Sequence, residues 1–235
     1  MSNARELLAR LNPTTVKFDI GRGGQPQLTN QDIAGALAFV SPGLGRSLLE
    51  ACWWSDGAAR SRKSMRNEVM ALVVPELQRQ SRALSHASLD LQLVKAAIAW
   101  SGRGATAEQS RELASCEARL EQVRAGTWPR TTVESLPTLV SAVIDEIAHP
   151  HRCERCEGRG HVMAGELKVT CLLCDRTGLA KVSGRRRAHA LGINERSYRD
   201  SWAGIYQWLL DAFRDAEQQA ARQLSDALRD ESVRG

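Results

Sequence analysis

Six cysteines stand in this 235-residue chain, and four of them carry its strongest chemical signal. They form Cys153-x-x-Cys156 and Cys171-x-x-Cys174, with fourteen residues between the pairs. Two intervening residues let one tight turn bring both sulfurs to a metal while backbone amides point at them. Two such pairs complete a tetrahedral shell at about 2.3 Å and leave no open position, which is the arrangement of a structural zinc. The spacing predicts one structural Zn2+ held by Cys153, Cys156, Cys171 and Cys174. Four unrelated buried or free cysteines are the competing reading. A thioredoxin-like pair is weaker, because no βαβ pattern surrounds either unit. His149, His151 and His161 could each replace a thiolate, yet the shell is already complete and none is assigned a metal role. Cys52 and Cys116 read as small core residues.

The first unit reads Cys153-Glu-Arg-Cys156-Glu-Gly158-Arg-Gly160, and Cys174-Asp175-Arg176-Thr177-Gly178 closes the second in similar style. Between them, 161–164 and 167–170 flank Gly165-Glu166 and predict a short β-hairpin. A hairpin this small is marginal alone, and a bound metal would supply the missing stabilisation.

The second chemical signal is basic. A short helix over about 185–191 is ended by Gly192, Ile193 plugs the angle, and Asn194 caps the next helix. Ala188, Leu191, Ile193, Tyr198 and Trp202 provide the apolar set that locks two helices across a turn, as in a helix-turn-helix. Asn194, Arg196, Ser197 and Arg199 fall where base edges and phosphates would be met. Arg185, Arg186 and Arg187 would approach the DNA backbone and make affinity salt-dependent. The competing reading is a helical hairpin whose arginines only solvate the surface. No carboxylate–histidine set accompanies the cysteines, so a zinc hydrolase ranks last.

Charge follows the same division. Residues 1–150 carry 17 basic and 15 acidic groups, 151–199 carry 11 and 5, and 200–235 carry 4 and 7. The total of +5 names no partner, but the order along the chain does suggest one: a near-neutral body, a basic reader and an acidic end. No apolar run approaches the roughly 18–20 residues of a membrane span, and residues 1–10 lack a signal-peptide pattern, so a cytoplasmic protein is expected. The glycine pairs at 43/45 and 102/104 lack the Lys-Ser/Thr of a phosphate loop and read as turns.

The elements that must position these groups are helical. Helices are predicted over 31–40, 44–54, 67–83 (interrupted or bent at Pro75), 108–124 and 136–147. A further segment carries Leu89, Leu93, Ala96, Ala97 and Trp100 as an apolar stripe and stops at Gly102-Arg103-Gly104. A long closing helix places Trp202, Ile205, Leu209, Phe213, Ala216, Ala220 and Leu224 on one side. Its other face carries Asp211, Asp215, Glu217 and Asp226. The expected fold is mainly α: a helical body with a four-cysteine, zinc-bound β-hairpin inserted before a helix-turn-helix and a long C-terminal helix. Its regions are 1–130, with a loose arm at 1–28; 131–183, a helix plus the zinc hairpin; and 184–235. No internal repeat is evident.

The 153–160 string, the Cys171-x-x-Cys174 unit and the Arg-rich segment ending at 198–202 resemble the Q-type late-gene antitermination proteins of lambdoid bacteriophages, over roughly 131–228. That resemblance implies a non-enzymatic protein of the bacterial host cytoplasm. It would bind double-stranded promoter DNA, engage RNA polymerase holoenzyme through core and sigma factor, and carry the polymerase through terminators, with a Nus-type elongation factor as a further partner. It makes the four cysteines zinc ligands and the 185–199 segment the DNA reader. Arg60-Ser-Arg62-Lys63-Ser-Met-Arg66 is a basic candidate for a polymerase contact. A zinc-containing helix-turn-helix repressor or activator is the alternative. The Cys-x-x-Cys-x-Gly-x-Gly unit is also similar to the zinc modules of DnaJ-type chaperones, which use four such units where this chain has one full and one degraded copy.

Overall fold

The computed structural model describes residues 4–9, 11, 30–54, 58–102, 104–165 and 167–234. They are mostly helical, with one two-stranded antiparallel sheet. No described helix is long and apolar enough to cross a membrane. The chain folds as two units, one from residues 1–68 and 134–235 and one from 69–133, so the expected 1–130 region is shared between them.

In the first unit, α1 (Ala4–Ala9), α2 (Asn30–Ala38) and α3 (Leu44–Trp53) gather around the C-terminal half of α9 (Ala203–Arg234). Leu8, Ile33, Leu37, Leu49 and Leu224 are buried where they meet. Part of the expected arm is therefore a helix, because Leu7 and Leu8 have an apolar surface to cover. The rest of that arm, 12–29, lies outside the described residues.

Two further expectations change here. Gly45 is not in a turn but inside α3, where a Cβ would sit 2.4 Å from the Ala216 carbonyl oxygen. The missing side chain lets α3 and α9 approach backbone to backbone. Glu217 does not belong to the exposed acidic face of α9, for it is 3% exposed. Arg5 donates to both of its oxygens at 2.8 and 2.7 Å, and the Trp53 indole donates at 2.9 Å. A buried carboxylate is tolerable when paired in this way. Cys52 is half-buried beside that cluster, and its thiol is pushed up to about 12, chiefly by burial.

The second unit takes the later part of α4 (Ala58–Ser101) and α5 (Ala107–Gly126). Helix α4 is continuous across the two segments expected from the sequence. Pro75 removes one donor without breaking it, and 84–88 contains no glycine or proline to stop it. The turn into α5 is fixed by a capping box in which Thr106 and Gln109 satisfy each other's backbone amides. The Leu89–Leu93–Trp100 stripe does not become core, since those residues are 53, 59 and 94% exposed. Arg103 lies outside the described residues, as do the side chains of 60–63 in the basic candidate. Arg66 is exposed.

Helix α6 (Thr132–Ala148) returns the chain to the first unit, with Leu139 and Val143 fully buried. The strands β1 (His161–Ala164) and β2 (Leu167–Thr170) pair His161 with Thr170 and Ala164 with Leu167. Two short helices follow, α7 (Gly184–Ala190) and α8 (Glu195–Ser197), then a π-helical turn at Tyr198–Trp202 that runs on into α9.

Candidate metal centre and basic surface

The four expected cysteines come together, each 1% exposed or less. Their sulfurs lie within 4.8 Å of one another, with Cys153–Cys171 at 3.8 Å and Cys156–Cys174 at 3.6 Å. A tetrahedron with arms of about 2.3 Å has edges of about 3.8 Å, so the cage is the right size for one metal ion held by thiolates. No disulfide closes it. Among the described residues Val162 is the one partly buried apolar side chain packed against the four cysteines, so there is almost no hydrophobic core to hold this module without an ion.

The amides around the cage suit thiolate. The Gly160 amide donates to the Cys156 sulfur at 3.3 Å. Burial pushes that thiol up, but the amides of Gly160 and Gly158 and the neighbouring thiols outweigh it and bring it to about 7. Burial likewise acts on Cys171, where the amides of Cys174 and Leu173 win and lower it. Cys174 moves the other way, to about 11, with burial the main cause.

The two cysteine units repeat each other in backbone, which the short sequence match conceals. Cys153 donates its amide to the Gly178 carbonyl at 2.8 Å, and Cys171 donates to Gly160 at 3.1 Å. Arg159 donates to Cys156 at 2.9 Å, and Thr177 to Cys174 at 3.0 Å. A Cβ on Gly160 would meet the Arg176 carbonyl at 2.3 Å, and one on Gly178 would meet the Gly158 carbonyl at 2.3 Å. Each unit thus closes on the other through a glycine. Glu166, at the expected hairpin turn, lies outside the described residues.

An antiparallel bridge between Arg152 and Leu179 closes the module's base, and α7 begins five residues later. Ser183 caps α7 by accepting the Arg186 amide. Gly192, at φ 68°, ends it, and the Ile193 amide reaches back to the Ala188 carbonyl at 3.0 Å. Asn194 caps α8 by accepting the Ser197 amide at 2.7 Å. Ala188 and Tyr198 are buried, while Leu191, Ile193 and Trp202 are half-buried beside Ser135, Thr138 and Leu139 of α6.

Of the seven residues expected on a DNA-facing surface, Arg185, Arg186, Asn194, Arg196 and Arg199 are exposed, and Ser197 is half-buried. Arg187 leaves the set. It donates to both oxygens of Glu146 at 2.9 and 2.8 Å, with 16 and 5% of the two side chains exposed. Its guanidinium lies 4.9 Å over the Tyr206 ring, and the Tyr206 hydroxyl is 3.1 Å from Glu146. Burial opposes the Arg187 charge, but the Glu146 contacts outweigh it and raise the group further. The fork of Arg187 therefore ties α7 to α6 and α9. Two adjacent acids, Asp145 and Glu146, near the end of the largely apolar 136–147 segment were the available sign of this partner, and they do not by themselves name Arg187.

Beside this tie lies a cleft of about 410 Å3 whose lining includes Arg186, His149, His151, His189 and Asp145. No spacing rule joins these histidines, which come from the end of α6, the start of the cysteine module and α7. The fold and site together define a mainly helical protein with a buried four-cysteine cluster, able to hold one metal ion, beside a basic surface. No family model, curated protein or solved structure matches the chain.

Proposed function

We propose that this chain is a DNA-binding transcription factor in which one structural zinc braces the support of a helix-turn-helix, and that it acts as a phage antitermination factor. The observation that carries the DNA reading is the exposure of Arg185, Arg186, Arg196 and Arg199 around one capped turn. The elements bearing them are held from behind by the Arg187–Glu146–Tyr206 tie. A cage of four thiolate ligands favours zinc and a closed, non-catalytic shell. The antitermination reading rests on the Q-type resemblance and brings with it promoter DNA, RNA polymerase core and sigma factor, and a Nus-type factor as partners.

Transcription through a terminator downstream of the cognate phage late promoter, with zinc-loaded protein and footprinting of the promoter, tests the whole reading. Readthrough with a protected promoter element supports it. A protected element with unchanged termination leaves the repressor or activator alternative. Within the surface, Arg186→Ala and Arg199→Ala should each flatten the salt dependence of binding by about one unit of log–log slope. Arg187→Ala should instead destabilise the fold, by less than the ~3–5 kcal/mol of a fully unpaired buried ion, because Glu146 keeps the Tyr206 hydroxyl at 3.1 Å and Arg214 at 3.6 Å. Thermal melts beside salt titrations separate the two effects.

A further inference from the structure

The start of the proposed reader helix carries an acid that the DNA reading does not use. Asp200 sits in the π-helical turn, with its Oδ2 3.5 Å from Arg196 Nε and its Oδ1 3.4 Å from Arg199 Nε. All three side chains face solvent, at 53, 85 and 72% exposure for Asp200, Arg196 and Arg199. The inner side of the same turn is anchored. Tyr198 is 5% exposed and its ring meets Tyr206 edge-on at 5.9 Å. The turn therefore cannot swing Asp200 away without unpacking Tyr198.

From this geometry, and resting on the DNA reading above, we infer that Asp200 is a specificity-determining latch. Its carboxylate pairs with the Nε of each guanidinium in the free protein and lies beside any phosphate that the two arginines take. Exposed pairs of this kind add about 0–1 kcal/mol to stability, so the fold does not need the contact. Its consequence is in binding. A duplex that offers only phosphates gains two arginines but leaves a carboxylate facing a polyanion, whereas a matched site has base-edge contacts to offset that repulsion. The acid thereby suppresses binding to arbitrary DNA more than binding to the cognate element.

The test uses full-length zinc-loaded protein and a fluorescent mixed-sequence duplex of about 30 base pairs, titrated at several salt concentrations. Asp200→Asn should bind this duplex several-fold more tightly than wild type at low salt, with a log–log slope steeper by about one unit. Asp200→Glu should restore wild-type behaviour. Asp211→Asn removes the same charge from the same helix but eleven residues away, about 16 Å along the axis and beyond the Debye length of about 8–10 Å. Asp211 is engaged by Gln207 instead, and its variant should match wild type. If Asp200→Asn behaves like Asp211→Asn, or binds more weakly than wild type, the latch is refuted while the DNA reading stands. If wild type shows no salt-dependent binding to this duplex or to the late-promoter element, the DNA reading fails and takes the latch with it.

Discussion

The two halves of the cysteine module solve one backbone problem with different residues. In the first, Glu157, Gly158 and Gly160 take positive φ values of 52, 88 and 73°. In the second, Asp175, Arg176 and Gly178 follow the same path at 47, 70 and 72°. The third position of each run is glycine in both, because a side chain there would strike the carbonyl of the other half. The middle position is glycine in one half and arginine in the other. Contact between the halves thus dictates one residue, while the turn alone only discourages the other. Steric exclusion by a neighbour is a stricter constraint than a disfavoured dihedral.

The largest effect should come from breaking what the halves share. Cys153→Ser or Cys174→Ser removes a ligand from opposite halves, and both should abolish stoichiometric zinc and melt the hairpin, because Val162 alone cannot hold it. Helical circular dichroism should fall little, since the helices of the first unit bury their own core. Zinc content and the hairpin's amide-exchange protection measure the result. A half that kept zinc after losing its cysteine would show that the halves are not equivalent. Next in size are Gly160→Ala and Gly178→Ala. Each pushes a Cβ into a backbone carbonyl and strains a positive φ, at a combined cost of about 3 kcal/mol. Competition with a chelator should show similar losses of zinc affinity for both. A large loss at one and none at the other would break the symmetry.

How much of this could be read from sequence differs sharply between regions. The four-cysteine cluster was legible because spacing along the chain fixes it: two Cys-x-x-Cys units name four candidate ligands without knowledge of any other element. The cap at Asn194 is local in the same sense. The fate of Arg187 was not legible, since Glu146 stands 41 residues away and identical arginines precede it at 185 and 186. Glu217 was misplaced for the same reason, its partner Arg5 being 212 residues distant. Periodicity placed Leu89, Leu93 and Trp100 on a helix, which α4 bears out, but that face meets solvent rather than core. A pattern shows which residues share a face and does not show what covers that face.

The smallest and most discriminating effect lies at the position where the halves differ. Arg176 holds φ 70° with a Cβ, a conformation that costs a non-glycine residue about 1–2 kcal/mol. Its Nε donates to Thr170 Oγ1 at 3.2 Å, an exposed contact that offsets only part of that cost. Arg176→Gly should therefore raise zinc affinity about fivefold, equivalent to about 1 kcal/mol once the greater freedom of glycine in the unfolded chain is subtracted. Gly158→Ala is the reciprocal change. A Cβ there would come no closer than 3.6 Å to the Arg152 side chain, so only the dihedral resists it, and affinity should fall by a similar factor. The double variant should return close to wild type, because the two sites lie in different halves and their strains are independent. Should Arg176→Gly weaken zinc binding instead, the Thr170 contact outweighs the dihedral. The second half would then be held by its arginine and not merely tolerant of it.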